Sequence, residues 1–202
     1  MNQSTQFDAQ YQKYLTQIRE FDFIKNAEIL GIQKRNQLFV IEFFNRQIAF
    51  DGDDFKDISG HPLTFAVKKV LCKYLLMCPQ KVFESTNRLV TFREFANAGP
   101  LFSSFTANTG KILETTFSGC LEVLKDRCRK LGGTFVETDS HDLSVRFRAL
   151  HRIPVILNFN DMDERLPAKA GFLYHDNAEL YLDLEGLSLT CTYLTGQLIQ
   201  SG

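Results

Sequence analysis

Apolar residues recur along the chain with two different periods, which predict helices in some segments and strands in others. Spacings of three and four residues are typical of amphipathic helices, and they occur over residues 7–18, 22–31, 62–77, 117–131 and 184–199. The third of these segments carries the broadest apolar stripe and ends just before Pro79. It is therefore predicted to be the central helix of the fold.

Strict alternation of apolar and polar residues predicts strands, and the clearest case runs from Leu143 to Ala149. Further strands are predicted at 155–159 and 172–174, and a brief one runs into a helical turn from Leu89. Residues 37–50 are typical of a hairpin closed at Asn45 and Arg46, and the segment 51–60 is predicted as a loop.

No linker, internal repeat or change in composition divides the chain. The order of the elements predicts an α+β fold, with a largely antiparallel sheet covered by helices. We expect residues 1–202 to form a single domain.

Composition and charge exclude several classes of partner. The 23 Lys and Arg residues balance 24 Asp and Glu residues, so no overall positive field attracts nucleic acid. No segment reaches the ~18 apolar residues that a membrane span requires. The five cysteines contain no C-x-x-C pair, so no metal site is predicted, and a reducing cytoplasm is the expected compartment. A small-molecule or protein partner is possible, whereas the cofactor and the oligomeric state stay open.

An acidic loop follows the strand at 155–159 and contains Asp161, Asp163 and Glu164. Clustered carboxylates can raise one another's pKa, bind a hard cation or act as an acid–base pair. They can equally form a solvated turn in which Asn and Asp side chains bind their own backbone.

Basic residues occupy the polar positions of the strand from Leu143 and the turn after it. Arg146, Arg148 and Arg152 can grip a carboxylate or phosphate, or simply keep an outer sheet face soluble. His175 and Asp176 end the strand at 172–174. Because adjacent strand residues point to opposite faces, we expect no direct cooperation between these two.

Two further segments do not match the motifs that they approach. In the segment from Asp51, Lys56 and Pro62 stand where a calcium-binding EF-hand loop needs Gly and Glu. The Gly110–Lys111 pair lacks the first Gly of a P-loop, and Ile112 stands in place of its Ser or Thr.

Four pieces of the chain, in their order and spacing, resemble the family known as domain of unknown function 3786. They are the VLCKYLL helix, the VTFREF segment, the strand start at Arg152, and the acidic loop that closes at Pro167 before FLYHDNAELYL. The resemblance implies a shared fold, no known activity, and an occurrence mainly in anaerobic bacteria and archaea. Relatives tend to carry an acidic residue and Phe where this chain has Arg165 and Leu166, and often Asp at the position of His175.

Two main functional hypotheses follow from these patterns, beside a third, a purely structural role in an oligomer. The first is a non-catalytic accessory protein of anaerobic metabolism, which binds a ligand or partner through Asp161, Asp163, Glu164, Arg146, Arg148, Arg152 and His175. The alternative is a hydrolase- or lyase-type enzyme that uses the acidic loop as general base or metal site. The alternative requires the carboxylates to converge with His175 or Arg152.

Overall fold

The computed structural model describes the backbone of residues 3–200 and the side chains of residues 7–200. Its helices are α1 Gln3–Ile18, α2 Ala27–Leu30, α3 Phe65–Leu76, α4 Gly99–Asn108, α5 Gly110–Phe117, α6 Leu121–Lys130 and α7 Leu184–Gln200. Its strands are β1 Gln33–Arg35, β2 Leu38–Phe43, β3 Arg46–Phe50, β4 Phe55–Asp57, β5 Leu89–Thr91, β6 Thr134–Phe135, β7 Leu143–Leu150, β8 Ile153–Asn160 and β9 Lys169–His175. Short 3-10 turns lie at Phe92–Glu94 and Ala178–Leu180.

The strands form two antiparallel sheets, which confirms the predicted α+β class. One sheet has four strands in the order β1-β2-β3-β4, and the other has five in the order β5-β9-β8-β7-β6. The backbone N–H of Phe44 donates to the carbonyl of Ala149 at 2.9 Å, which joins the two sheets. The hairpin between β2 and β3 turns at Phe44 and Asn45, one residue earlier than predicted, with a positive φ of 53° at Phe44.

Helices cover one face of the five-stranded sheet. The inward positions of β7 and β8 are almost fully buried, because alternate residues of both strands point at the helices. Helix α7 contacts β9 through the buried Tyr174, whose hydroxyl donates to the Leu187 carbonyl at 3.0 Å. The core is rich in phenylalanine rings, as in the stacked pair of Phe92 and Phe105.

Three further sequence predictions need correction. The segment 51–60 is not wholly a loop, because Phe55–Asp57 adds β4 to the edge of β3. The helix predicted over 117–131 begins only at Leu121, because Gly119 adopts a φ of 72° and separates α5 from α6. The helix predicted over 22–31 is reduced to α2. In each case, a backbone contact or turn determines the local structure, although the spacing of apolar residues by itself favours a different element.

The helical segments of the described chain include none that is both long and apolar enough to cross a membrane.

Candidate functional site

The candidate site is the side of the five-stranded sheet that faces away from the helices, which we call the open face. Strand register assigns residues to it: Arg146 pairs with Ile156, Ile156 with Leu173, and Arg148 with Pro154. Alternation then places these residues together with Ser144, Asn158, Gly171, His175, Leu89, Thr91 and Val136. The open face therefore brings together three of the residues that the sequence singled out, namely Arg146, Arg148 and His175.

His175 is held in place by a chain of hydrogen bonds that starts in a distant loop. Ser85 Oγ donates to Asp176 Oδ1 at 2.8 Å and lies 3.0 Å from His175 Nδ1. Because a hydroxyl has one proton, Nδ1 must donate to Ser85 Oγ, which leaves Nε2 as an acceptor in the neutral ring. Asp176 also accepts from the Thr86 hydroxyl. Among the described residues, the side chains of His175 and Asp176 thus share no direct hydrogen bond, but Ser85 links them.

The imidazole of His175 has a depressed pKa. Partial burial lowers this pKa first, the positive charge of Arg146 lowers it further, and Asp176 opposes both effects. The ring is therefore neutral at pH 7. In contrast, the hydroxyls of Thr86 and Ser85 lower the pKa of the Asp176 carboxyl, so Asp176 stays ionised.

The charge of Arg146 makes a direct prediction about this titration. In Arg146→Ala, we expect the pKa of His175 to rise, because one cation that opposes protonation is removed. A titration followed by NMR of the imidazole carbons measures the shift. In Arg165→Ala, which removes an arginine from the acidic loop at the far end of the sheet, the same pKa should not move. An unchanged His175 pKa in Arg146→Ala contradicts the proximity of the two side chains.

The other arginines of the predicted set differ in how far they are engaged. The Arg148 guanidinium donates to Glu42 at 2.5 Å and remains 62% exposed. Arg152 donates from Nε to the Ile29 carbonyl at 2.7 Å and from Nη2 to the Glu28 carbonyl at 3.4 Å. These carbonyls belong to the short helix α2, whose end Arg152 therefore stabilises. In the described part of the chain, Arg146 has neither a hydrogen bond nor an ion pair.

The acidic loop forms a hydrogen-bonded turn. Asp163 Oδ1 accepts the backbone N–H groups of Arg165 and Leu166 at 2.7 and 2.8 Å. These two bonds lower the pKa of Asp163, so it is a weaker base than a free carboxylate. Asp161 accepts the N–H groups of Gly119 and Met162, and Glu164 is exposed.

The loop and His175 lie at opposite ends of the β8–β9 hairpin. Asn160 pairs with Lys169 next to the loop, whereas Tyr174, beside His175, pairs with Val155 near the start of β8. At about 3.3 Å per residue, the length of β8 separates them by roughly 20 Å. Arg152 precedes β8 and lies at the His175 end. The convergence of acidic loop, His175 and Arg152 required by the enzyme hypothesis is therefore not formed.

Sequence reasoning missed a second polar cluster, which lies beside β4. Arg46 Nε donates to Asp57 Oδ2 at 2.5 Å, and the Asp57 side chain is only 1% exposed. Ser59 Oγ donates to Asp57 Oδ1 at 2.5 Å and lies 2.9 Å from His61 Nδ1. This cluster borders a pocket of about 530 Å³. The signal was present in the spacing of Asp57, Ser59 and His61, but the segment 51–60, which contains the first two, was predicted as a loop.

Comparison with known families decides the relationship of the chain. The family described as domain of unknown function DUF3786 matches residues 22–197. The chain belongs to this family. Searches of curated proteins and of solved structures found no match. The match begins ahead of α2 and ends in α7, so it includes both sheets.

Arg165 and Leu166, where the family resemblance implies an acidic residue and Phe, do not disturb the acidic turn. Both residues contact Asp163 through backbone N–H groups, which any side chain other than proline leaves in place.

Over the side chains of residues 7–200, no group of three or more His, Cys, Asp or Glu residues is arranged to hold a metal ion.

Proposed function

We propose that this DUF3786 protein is a non-catalytic binding protein, and that its open face holds an acidic segment of a partner protein. The observation that carries the proposal is Arg146, an exposed guanidinium without a hydrogen bond or ion pair among the described residues. A guanidinium can bind a carboxylate through two parallel hydrogen bonds. Arg146 is thus available to a partner in a way that Arg152 is not.

Apolar residues of the open face support a protein partner. Leu173 lies at its centre and is partly exposed, beside Ile156, which is only 6% exposed. Leu89 and Val136 lie near its two edges, with exposures of 42% and 44%. Protein interfaces commonly combine an apolar centre with arginine anchors and a polar rim. The open face has this composition.

His175 supports an anionic partner in particular. Its neutral ring can take up a proton when a carboxylate approaches, because a nearby negative charge raises the pKa of histidine. The charge of Asp176 favours protonation of the ring, whereas the charge of Arg146 opposes it. Binding of an acidic segment should therefore tighten as the pH falls from 7.5 towards 6.

The geometry favours this function over the hydrolase- or lyase-type alternative. Asp163 is committed to two backbone hydrogen bonds. The acidic loop also lies far along the sheet from His175. A ligand-binding role for Asp161, Asp163 and Glu164 would have to be separate from the open face.

Two broader parts of the proposal have other support. A role as an accessory protein of anaerobic metabolism in bacteria or archaea rests on the distribution that the family resemblance implies. A cytoplasmic location is supported by Cys72, Cys78, Cys120, Cys128 and Cys191, all of which are free thiols.

The test is a titration of isotope-labelled protein with a fluorescent poly-glutamate peptide, measured by anisotropy and by amide chemical shifts. We expect shifts on β7, β8 and β9 at Arg146, Ile156 and Leu173. Arg146→Ala should weaken binding about tenfold, as for loss of one charge-assisted hydrogen-bonded contact.

Arg165→Ala is the matched control, because it removes the same side chain from the exposed acidic loop. The proposal fails if both variants weaken binding equally, or if the shifts lie on α6, which carries Arg127, Arg129 and Lys130. It also fails if sedimentation shows a dimer that Ile156→Glu dissociates, since a second copy would then occupy the open face.

A further inference from the structure

A small aromatic pocket lies beside β9, away from the acidic loop, and of the open-face residues it shares Thr91 and Gly171. It has a volume of about 240 Å³ and is bordered by α4, the start of α5 and the turn after β5. Its walls are the rings of Phe92, Phe102, Phe105 and Phe172. The first and third stack with centroids 4.2 Å apart, and Phe105 meets Phe172 edge to face at 6.4 Å. These mutual contacts hold the walls in place without a ligand.

Arg93 is the charged residue among those that line this pocket. Its guanidinium carbon lies 5.5 Å from the centroid of the Phe102 ring, and the side chain has no hydrogen bond or ion pair within the described residues. The adjacent Glu94 is directed away, since it accepts from Thr91 and pairs with Arg88 at 3.0 Å. The Arg93 guanidinium therefore lies at an aromatic pocket and is not paired with a carboxylate of the described residues.

The pocket also presents polar groups of the backbone. Strand β5 pairs with β9 only from Leu173 to His175, so the preceding edge of β9 has no strand beside it. The Ala170 N–H on this edge donates to Glu114 at 3.2 Å. Because alternate residues of a strand direct their backbone groups to the same side, Phe172 directs its N–H and C=O towards the pocket. The hydroxyl of Thr106 is a further polar group of the lining.

Size and charge together define the ligand class. At ~30 Å³ per water, 240 Å³ corresponds to roughly eight water molecules. This volume is below the usual ~300–1,000 Å³ of pockets for drug-sized ligands. It suits a molecule of on the order of ten non-hydrogen atoms. Rings on the walls select an aromatic group, and Arg93 selects an anion.

We infer that this pocket binds a single-ring aromatic monocarboxylate. The ring lies among the phenylalanine side chains, and the carboxylate accepts hydrogen bonds from the Arg93 guanidinium. This site borders the proposed partner surface at Thr91 and Gly171, but its anion contact is separate, because Arg146 and His175 do not line it.

The inference is tested by titrating the protein with benzoate and phenylacetate, with benzamide as the neutral analogue and acetate as the anion without a ring. Isothermal calorimetry measures affinity, and amide chemical shifts locate the site. We expect benzoate or phenylacetate to bind about tenfold more tightly than benzamide, because only the acids form a charge-assisted contact with Arg93. Acetate should bind more weakly than either acid. Shifts should centre on Thr106 and Phe172.

Two variants separate the roles of charge and ring. Arg93→Gln should remove the preference for benzoate over benzamide, whereas Phe102→Ala should weaken the binding of both. Arg88→Gln is the matched control, because it removes a nearby exposed arginine that does not line the pocket. Arg146→Ala should leave the binding of benzoate unchanged.

Three results would each overturn the inference. The first is equal affinity of wild-type protein for benzoate and benzamide, or no binding of either acid at millimolar concentration. The second is an equal loss of affinity for benzoate in Arg93→Gln and Arg88→Gln. The third is a set of wild-type chemical shifts that lies outside this pocket, which would be decisive even if a variant failed to fold.

Discussion

Replacing Arg46 with alanine is expected to lower the free energy of unfolding by about 3 kcal/mol at pH 7, because it leaves a buried carboxylate without its cation. Asp57 is 1% exposed and Arg46 is 18% exposed. The guanidinium also donates to Tyr193 and to the carbonyls of His61 and Pro62, so these contacts are lost as well. Urea denaturation of both proteins measures the difference.

The pH dependence of this loss has a definite sign. Burial by itself would raise the pKa of Asp57, but hydrogen bonds from Ser59 and Arg46 outweigh it and hold the pKa below its usual value. A depressed carboxyl pKa contributes stability above the unfolded-state value of ~3.9, and this contribution is lost as the pH falls through the folded-state pKa. The difference in the free energy of unfolding between wild-type protein and Arg46→Ala should therefore become smaller below pH 4.

Arg148→Ala is the matched control for Arg46→Ala. It also breaks an arginine–carboxylate pair with a 2.5 Å contact, but here the arginine side chain is 62% exposed. Exposed pairs contribute only about 0–1 kcal/mol. If Arg46→Ala and Arg148→Ala lower the free energy of unfolding equally, burial of Asp57 does not make the Arg46–Asp57 pair more stabilising than the exposed Arg148–Glu42 pair.

Gly133→Ala is expected to lower the free energy of unfolding by about 2 to 3 kcal/mol through overpacking. A Cβ atom built at Gly133 would lie 2.5 Å from Val145 Cγ1, 2.8 Å from Phe147 Cε1 and 2.9 Å from the backbone carbonyl of Cys128. The two side chains are buried in β7, so neither can move into open space. Thermal or urea denaturation detects the loss.

Gly196→Ala provides the opposite control. Apart from its chain neighbours and the backbone of its own helix, no atom of the described residues lies within 4 Å of a Cβ built there, and the residue is inside α7. Alanine in a helix interior is more stable than glycine by about 0.5 to 1 kcal/mol. If Gly133→Ala and Gly196→Ala change the free energy of unfolding equally, the contacts with β7 do not prevent a methyl group from fitting at residue 133.

The residues of the candidate site differ in how far the sequence could predict them. Alternation along β7 placed Arg146 and Arg148 on one face, and the strand register confirms this placement. Ser85 could not be found in this way, because it is separated from His175 by 90 residues and reaches it only because β5 lies next to β9. No local period carries information about the order of strands in a sheet.

The acidic loop shows the opposite limit. The three carboxylates at Asp161, Asp163 and Glu164 were visible at once, but two readings of them stayed open. The structure shows Asp163 bound to the backbone of its own turn, as short polar side chains often are in loops. The same feature in the sequence is compatible with a catalytic loop and with a turn, because only the positions of the N–H groups distinguish them.

By itself, the sequence determined the α+β class, four of the five strands of the sheet that carries the open face, and the family, since these depend on local periods and on the order of motifs along the chain. The two-residue strand β6 was not predicted. Only the tertiary structure decided that β4 extends a second sheet, that Arg152 stabilises α2 and that Arg146 has no partner among the described residues. It also decided that Ser85 orients His175. These features depend on which segments meet in space, and pairing between distant segments follows from packing of the whole core, not from the pattern within any one of them.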